Sequence, residues 1–400
     1  MKKAFRVFVV VIVLSFALAT AISAYAATLM RETKGRPVVK FIKSENERPY
    51  LIKTYADGSA CQEDFTIITF ADLHLDGKTE IPGDSTALTV MENAIKHQNP
   101  DLVVLCGDIV LGPYAKRAAR ALAELFEKHN QYWGYVLGNH DAESEIGLKR
   151  AEIVSYFSEY EHCVISSAPD ISGEGNCIVN LKNAQGKVIQ SLVFIDSGNY
   201  LDPDICAEYG FEYKEGYDFI KYDQIEWYKS EMYDIAEQNG GMPDSVMFMH
   251  IPLKEYRMAY NQAKQNDTVI FGKRREPECD SHYNTGMFDA ILEVDSTKAV
   301  ICGDDHVNDY CVEYMGVKLL YSLSVAYNSY FLREYLLYVS AYNLSGQAEF
   351  NDGYTLLSID KKGELQIIPR YFQENPSLFE GLTQEQRNAL YLDQTLPKSE

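Results

Sequence analysis

The chain has 400 residues, of which 46% are hydrophobic and 24% charged, so it can bury a large core and global disorder is excluded. Its formal net charge of −21 makes the surface repel phosphate backbones, which disfavours nucleic acid as a partner. The length allows one large domain or two modest ones.

Residues 1–26 have the pattern of an export signal. Three basic residues precede an apolar stretch, and Ala24-Tyr25-Ala26 then offers a small-x-small cleavage site. An uncleaved anchor is the alternative, because the stretch extended through Ile22 approaches the roughly 17–20 residues that span a membrane. We expect a secreted or extracytoplasmic protein that contacts a membrane only through this segment, and only if the segment stays uncleaved.

A β-α-β-α-β succession follows the export signal. Two strand-like pieces in residues 27–63, Val38 to Ile42 and Tyr50 to Thr54, first predict a hairpin at the edge of the main domain. Predicted strands and helices then alternate, in the order Phe65 to Phe70, Ala87 to His97, Leu102 to Cys106, Tyr114 to Lys128 and Tyr132 to Leu137. This alternation indicates right-handed crossovers between largely parallel strands.

The second half of the chain has a less regular pattern. Ile189 to Ile195 predicts a strand and Asp223 to Glu237 a helix, whereas residues 254–287 carry few periodic signals and predict a long loop over a functional site. Three further segments predict strands of a second sheet, namely Val317 to Ser322, Tyr354 to Ile359 and Leu365 to Pro369. We expect one catalytic domain over residues 64–372 and a polar tail over residues 373–400.

Five polar clusters each follow directly after a strand-like segment. They are Asp72-Leu73-His74, Gly107-Asp108, Gly138-Asn139-His140-Asp141, His250 and Gly303-Asp304-Asp305-His306. Because strands of an α/β sheet end at one crevice, these side chains are expected to meet there. Aspartate, asparagine and histidine without a conspicuous serine or cysteine nucleophile favour metal ions over covalent catalysis.

Two divalent ions roughly 3.5–4 Å apart need several oxygen and nitrogen ligands and one group that bridges them. Asp72 and His74 alternate along extended chain, so both can reach one ion, and the two oxygens of Asp108 suit the bridging position. Asn139 offers an amide oxygen, and His250 with the 303–306 segment closes the ligand shell. Taken alone, each of these residues has a structural explanation, such as a turn, a helix cap or a buried histidine.

The five clusters resemble, in order, the motifs of the calcineurin-like metallophosphoesterases. That family has Asp-x-His, Gly-Asp, Gly-Asn-His-Asp or -Glu, a lone His and Gly-His-x-His, and the resemblance covers residues 64–325. It is tightest to the purple-acid-phosphatase relatives that end in Gly-His-Asp-His-x-Asn-Asp, where this chain has residues 303–309. The resemblance implies a four-layer α/β/β/α sandwich of two mixed sheets.

The resemblance also implies a role for each cluster residue. The first metal would be held by Asp72, His74 and His306, and the second by Asn139 and His250, with Asp108 as the bridge. His140 would act on the substrate, and Asp141 would orient it. A metal-activated hydroxide would be the nucleophile for in-line attack on phosphorus.

Two positions depart from the family pattern. Leu111 stands where purple acid phosphatases place a tyrosine, so a ferric–tyrosinate chromophore is not expected. Asp304 stands where the family has a histidine ligand of the second metal. A shorter, harder ligand shifts preference among manganese, iron, zinc and magnesium towards manganese, or leaves the second position weak.

The sequence therefore predicts an exported phosphoesterase with two divalent metal ions and a small phosphate-ester substrate. A phosphomonoester is the first choice and a phosphodiester is close behind. A metal-binding module that has lost catalysis is the alternative, because of Asp304. The sequence has no visible base-binding segment, which disfavours a nucleotidase or nuclease.

Overall fold

The computed structural model describes residues 34–44, 47–78, 82–329 and 351–390, and over these ranges the chain forms thirteen strands and eight α-helices. The predicted export signal lies outside the described residues, as does the end of the predicted tail. Within the described ranges, no helix is long and apolar enough to cross a membrane.

A five-stranded mixed sheet carries the first three polar clusters. Its order is β13-β12-β3-β4-β5, with β3 to β5 parallel and β12 antiparallel to β3. The strands are β3 (Phe65–Phe70), β4 (Leu102–Cys106), β5 (Trp133–Val136), β12 (Gly353–Ile359) and β13 (Leu365–Tyr371). Helices α1 (Pro82–Gln98) and α2 (Ala115–Lys128) connect the parallel strands. The predicted β-α-β-α-β succession is confirmed.

An eight-stranded mixed sheet carries the other two clusters, in the order β1-β2-β6-β7-β8-β9-β11-β10. The strands are β1 (Val38–Ile42), β2 (Tyr50–Thr54), β6 (Cys177–Lys182), β7 (Val188–Phe194), β8 (Asp244–Phe248), β9 (Thr297–Cys302), β10 (Cys311–Tyr314) and β11 (Val317–Tyr321). The hairpin of β1 and β2 lies at one edge, with the predicted bounds. The domain limits at residues 64 and 372 stay a prediction.

The two sheets face each other and helices cover their outer faces. Along β7, Leu192 and Phe194 point into the core shared with the five-stranded sheet, whereas Val193 packs with the outer helices. After α3 (Arg150–Phe157) and α4 (Pro203–Glu208), those outer helices follow as α5 (Tyr222–Asn239), α6 (Glu255–Asn266) and α7 (Met287–Val294). Gly134 of β5 lies so close to Phe194 that a Cβ there would be 3.1 Å from its ring. The four-layer α/β/β/α arrangement is therefore confirmed.

The prediction that Val317 to Ser322 shares a sheet with Tyr354 to Ile359 and Leu365 to Pro369 is wrong. Strand β11 lies parallel to β9 in the eight-stranded sheet, whereas β12 and β13 extend the five-stranded sheet. The reason is burial on both faces. Leu319 packs with the outer helices while Leu320 joins the inter-sheet core, which suits an interior strand covered on both sides.

The prediction of one long loop over residues 254–287 is also wrong. Helix α6 occupies its first part, and its buried face is formed by Glu255, Tyr256, Ala259 and Ala263. Small and polar residues make this stripe too weak to recognise as helical periodicity. Only the part after Asn266, up to the start of α7 at Met287, runs without a helix.

Part of the predicted polar tail packs against the domain. Leu378 and Phe379 are buried, and Asn93 of α1 donates hydrogen bonds of 2.9 Å to the carbonyls of Leu378 and Glu380. The last helix, α8 (Gln384–Ala389), is joined to α1 by a 2.9 Å hydrogen bond from Gln386 to Ser85. Two helical turns, Phe372–Glu374 and Pro376–Phe379, precede it.

Candidate metal centre

The ends of five strands, three from one sheet and two from the other, bring the five polar clusters together. Strands β3, β4 and β5 lead into Asp72, Asp108 and Asn139, and strands β8 and β9 lead into His250 and Asp304. All seven predicted metal ligands are buried. The expected meeting of the clusters at one crevice is confirmed, although it lies between two sheets rather than along one.

Several of these residues have left-handed backbone conformations, which are uncommon outside glycine. The φ angles are 57° at Asp72, 46° at His74, 50° at Asp108 and 75° at Asp304. Such conformations cost roughly 1–3 kcal/mol each and persist only where the surrounding structure imposes them. Their concentration at the strand ends marks this crevice as a functional site.

The first group of ligand atoms comes from Asp72, His74, Asp108 and His306, whose donor atoms all lie within 4.8 Å of one another. The Nε2 atoms of His74 and His306 are 3.0 Å apart. Burial lowers the pKa of His74 to about 4, so its ring is neutral, which is the form that binds metals. Asp72 Oδ2 is buried and has no hydrogen-bond partner.

The second group comes from Asp108, His250 and Asp304, again within 4.8 Å of one another. His250 Nδ1 donates to the Cys106 carbonyl at 2.8 Å, which directs Nε2 towards the carboxylates. Nε2 lies 3.1 Å from Asn139 Oδ1 and 3.3 Å from Asp108 Oδ2. The Oδ2 atom of Asp304 is buried without a hydrogen-bond partner.

The buried carboxylates of the site make it suited to bind cations. Burial raises the pKa of Asp72 and of Asp304, because a buried carboxylate loses its hydration. Burial acts on Asp108 as well, but the charge and hydrogen bond of His250 outweigh it and hold the pKa of Asp108 below the ordinary value. Orphaned carboxylate oxygens beside imidazole nitrogens fit two divalent metal ions, and Asp108 is the residue common to both groups.

The Asp141 carboxylate binds backbone amides rather than the His140 ring, so the prediction that it orients His140 is corrected. Its Oδ1 atom accepts hydrogen bonds from the amides of Ile109 and Val110, both at 2.8 Å, and Oδ2 accepts one from Gly138 at 2.6 Å. Asp141 thus ties the Asp108 turn to the Asn139 turn. Burial raises its pKa to about 6.

The carboxylate beside His140 is Glu143, which sequence reasoning missed. His140 Nδ1 is 2.7 Å from Glu143 Oε2, and the Tyr200 hydroxyl donates to Glu143 Oε1 at 2.5 Å. Tyr200 in turn accepts a 3.1 Å hydrogen bond from Asn139 Nδ2. The spacing of three residues on the short helix His140–Ala142 was a usable signal for Glu143, whereas nothing in the sequence pointed to Tyr200.

His140 is less buried than the predicted ligands. Its side chain is 33% exposed, whereas those of His74 and His250 are 2% and 0% exposed. The His140 and His74 ring centroids are 5.2 Å apart. His140 therefore stands at the mouth of the centre, where it can reach a bound substrate.

The chain matches the model of a known protein family. The model of the family described as calcineurin-like phosphoesterase matches residues 65–308. "Probable inactive purple acid phosphatase 14" of Arabidopsis thaliana is 29% identical over 301 residues, which cover 66% of this chain and 71% of the relative. "Phosphatase DCR2" of Saccharomyces cerevisiae is 28% identical over 272 residues, which cover 62% of this chain and 45% of the relative.

Solved structures with a similar chain course include a dimetal phosphatase from Danio rerio. It has 12% sequence identity and a TM-score of 0.48, and the match covers 77% of this chain and 99% of that one. A purple acid phosphatase from yellow lupin seeds has 11% identity and a TM-score of 0.41, over 82% of this chain and 55% of that one.

Gly107 lets β4 approach His250, and replacing it tests this contact. A Cβ there would overlap the His250 ring, at 2.6 Å from its Cβ atom, at a φ of 90°. We expect Gly107→Ala to displace His250 and to abolish binding of one metal ion per chain, measured by elemental analysis after dialysis. Gly112→Ala is the matched control, because Gly112 also has a positive φ, 77°, but open space around it. That control is expected to lose about 1–2 kcal/mol of stability and to keep its metal. Equal metal loss in both variants would contradict the steric explanation.

Proposed function

Because this chain belongs to the calcineurin-like phosphoesterase family, we propose that it is an exported phosphomonoesterase that uses two divalent metal ions, with manganese favoured. Family membership makes it a hydrolase of phosphate ester bonds. The observation that carries the finer proposal is the pair of ligand groups that share Asp108, with His140 at their mouth.

The chain's own residues would hold the two ions in a fixed arrangement. Asp72, His74 and His306 surround one position, and Asn139, His250 and Asp304 surround the other. When bound, the ions would lower the pKa of water and neutralise charge on the phosphoryl group. The hydrogen bond from His250 Nδ1 to the Cys106 carbonyl keeps the ring in the orientation in which Nε2 would bind the ion.

His140 would act on the phosphate ester itself. Glu143 Oε2 lies 2.7 Å from the His140 Nδ1 atom as an ion-pair partner, which leaves Nε2 for the leaving oxygen or a phosphoryl oxygen. Glu143 also accepts a hydrogen bond from the Tyr200 hydroxyl, which itself accepts one from Asn139. These contacts connect His140 to a proposed metal ligand. A proton held at Nε2 would pass to the leaving alcohol.

The proposed substrate is small and carries one phosphate. An acidic chain with a net charge of −21 repels polyanions, so a compact ester is favoured over a polymer. A phosphodiester is the second choice, because the same centre can accommodate an esterified phosphoryl oxygen. The identity of the alcohol depends on loops around the site rather than on the ligands.

The competing proposal is a metal-binding module without turnover. Three Arabidopsis thaliana relatives carry the words "probable inactive" in their names, and Asp304 replaces a family histidine here. Against this, His140, Glu143 and Asn139 stand in a connected arrangement that a lapsed site has no need to keep. We therefore favour the active enzyme.

His140→Ala tests catalysis separately from metal binding. We expect two metal ions per chain to remain and the turnover of an aryl phosphate with manganese to fall roughly 10²–10⁴-fold, because the acid is lost. His97→Ala, on the surface at the end of α1, is the control and should keep full turnover. Wild-type protein that binds two ions but shows no turnover of mono- or diesters would favour the binding module.

Glu143→Gln tests the support of His140. Glutamine keeps the shape but removes the negative charge. We therefore expect kcat to fall, but by less than the roughly 10²–10⁴-fold loss expected for His140→Ala, while metal content and KM stay unchanged. Glu145→Gln makes the same charge change two residues away on an exposed side chain and should leave kcat unaltered. A normal kcat in Glu143→Gln would remove Glu143 from the mechanism.

Export rests on residues 1–26 and is tested on the full chain. Expressed in a secreting host, the mature protein should be found outside the cytoplasm with Ala27 as its first residue, measured by intact mass. Ala26→Phe should block cleavage, because the site requires a small residue. Wild-type protein that stays in the membrane fraction at full mass would instead establish the uncleaved anchor.

A further inference from the structure

Cys279 lies beside the proposed second metal position, in the connection between α6 and α7. We define the 267–286 segment as the chain between α6 and α7. One ligand atom each of Cys279, Asp304 and Asp305 lies within 4.8 Å of the others. Asp304 also belongs to the group with Asp108 and His250, so it links Cys279 to the proposed metal centre.

Side chains of residues 305–309, after β9, accept hydrogen bonds that fix the 267–286 segment in place. Asp305 Oδ1 accepts the backbone N–H of Cys279 at 3.1 Å, and Asp305 Oδ2 accepts the Tyr321 hydroxyl at 2.5 Å. Asn308 Oδ1 accepts the N–H of Arg275 at 2.8 Å, and Asp309 Oδ1 accepts that of Lys273 at 2.6 Å. Cys279 is therefore positioned by the same residues that deliver Asp304 and His306.

The ligand set on this side of the centre differs from the family pattern at position 304. Asp304 is buried, and its Oδ2 atom has no hydrogen-bond partner. An aspartate is shorter than the histidine that the family pattern places here, so it reaches less far towards an ion held by Asp108 and His250. Both oxygens of Asp305 accept hydrogen bonds from the protein. The Cys279 thiol donates a long hydrogen bond of 3.9 Å to the Pro277 carbonyl, which leaves its sulfur lone pairs for an ion.

We propose that Cys279 is an additional ligand of the second metal ion and that, together with Asp304, it replaces the family's histidine. This rests on the proposed dinuclear centre. On binding, the thiol S–H bond breaks, its proton leaves to solvent, and the sulfur lone pair forms the bond to the ion. A thiolate is a soft ligand, so the second position would prefer zinc or cobalt to the manganese that Asp304 alone favours.

Cobalt(II) is the probe, because a sulfur ligand gives it a near-ultraviolet charge-transfer band that nitrogen and oxygen ligands lack. The full-length protein, stripped and reloaded with two cobalt ions, should show this band, and Cys279→Ser should remove it. Zinc binding at the second position should weaken by roughly 10- to 100-fold in the same variant. Cys61→Ser, in the connection before β3 and away from the crevice, should keep the band and the affinity.

The outcomes separate this inference from the proposed function. Two cobalt ions per chain without the band, or with a band that survives in Cys279→Ser, would overturn the role of Cys279 and leave the dinuclear centre standing. Failure of the wild-type chain to hold any cobalt, zinc or manganese would overturn both. The double variant Cys279→Ser with Asp304→His should regain two ions without the band, whereas failure to regain the second ion would contradict the claim of replacement.

Discussion

The carboxylate of Asp108 is the point at which the two sheets meet. It follows β4 of the five-stranded sheet, yet its Oδ2 atom lies 3.3 Å from His250 Nε2, which follows β8 of the other sheet, and 3.5 Å from His74 Nε2. Its Oδ1 atom accepts the amide of His140 at 2.9 Å. A buried charge with three such partners is stable only while all of them stay in place, so both sheets must keep their relative position.

Close approach at this point explains the glycines of the motifs. A Cβ on Gly138 would collide with Asp108, and one on Gly303 would lie 2.6 Å from the Cys106 carbonyl. Together with Gly107, these residues allow the backbones of β4, β5 and β9 to come within reach of one another. The left-handed conformations of Asp72, His74, Asp108 and Asp304 are the cost of turning each chain sharply enough to point its ligand inwards.

The sequence was informative where a strong local pattern and a functional motif coincided. Strand Leu102 to Cys106 and the ligands around Asp108 could be predicted because a run of apolar residues ends at Gly-Asp. Helix α6 and the sheet that contains β11 could not, since both depend on which faces other elements cover. The family resemblance implies that Asp141 orients His140, but adjacent residues on a helical turn point apart, and the residue three positions on, Glu143, faces His140 instead. Tyr200 reaches the site only through the tertiary fold.

The residues after Asp304 bear on how the replacement of the family's histidine by this aspartate is interpreted. In Asp305-His306-Val307-Asn308-Asp309, only His306 points a ligand atom into the first group, while Asp305, Asn308 and Asp309 hold the 267–286 segment. A histidine ligand at position 304 would need no help from that segment. An aspartate reaches less far than a histidine on the side where the segment passes, and Cys279 places a soft donor atom within 4.8 Å of it. A substitution that weakens the ligand set in the sequence can thus be offset by a residue that joins the site only in three dimensions, which is why the aspartate alone does not decide between a lapsed centre and an altered one.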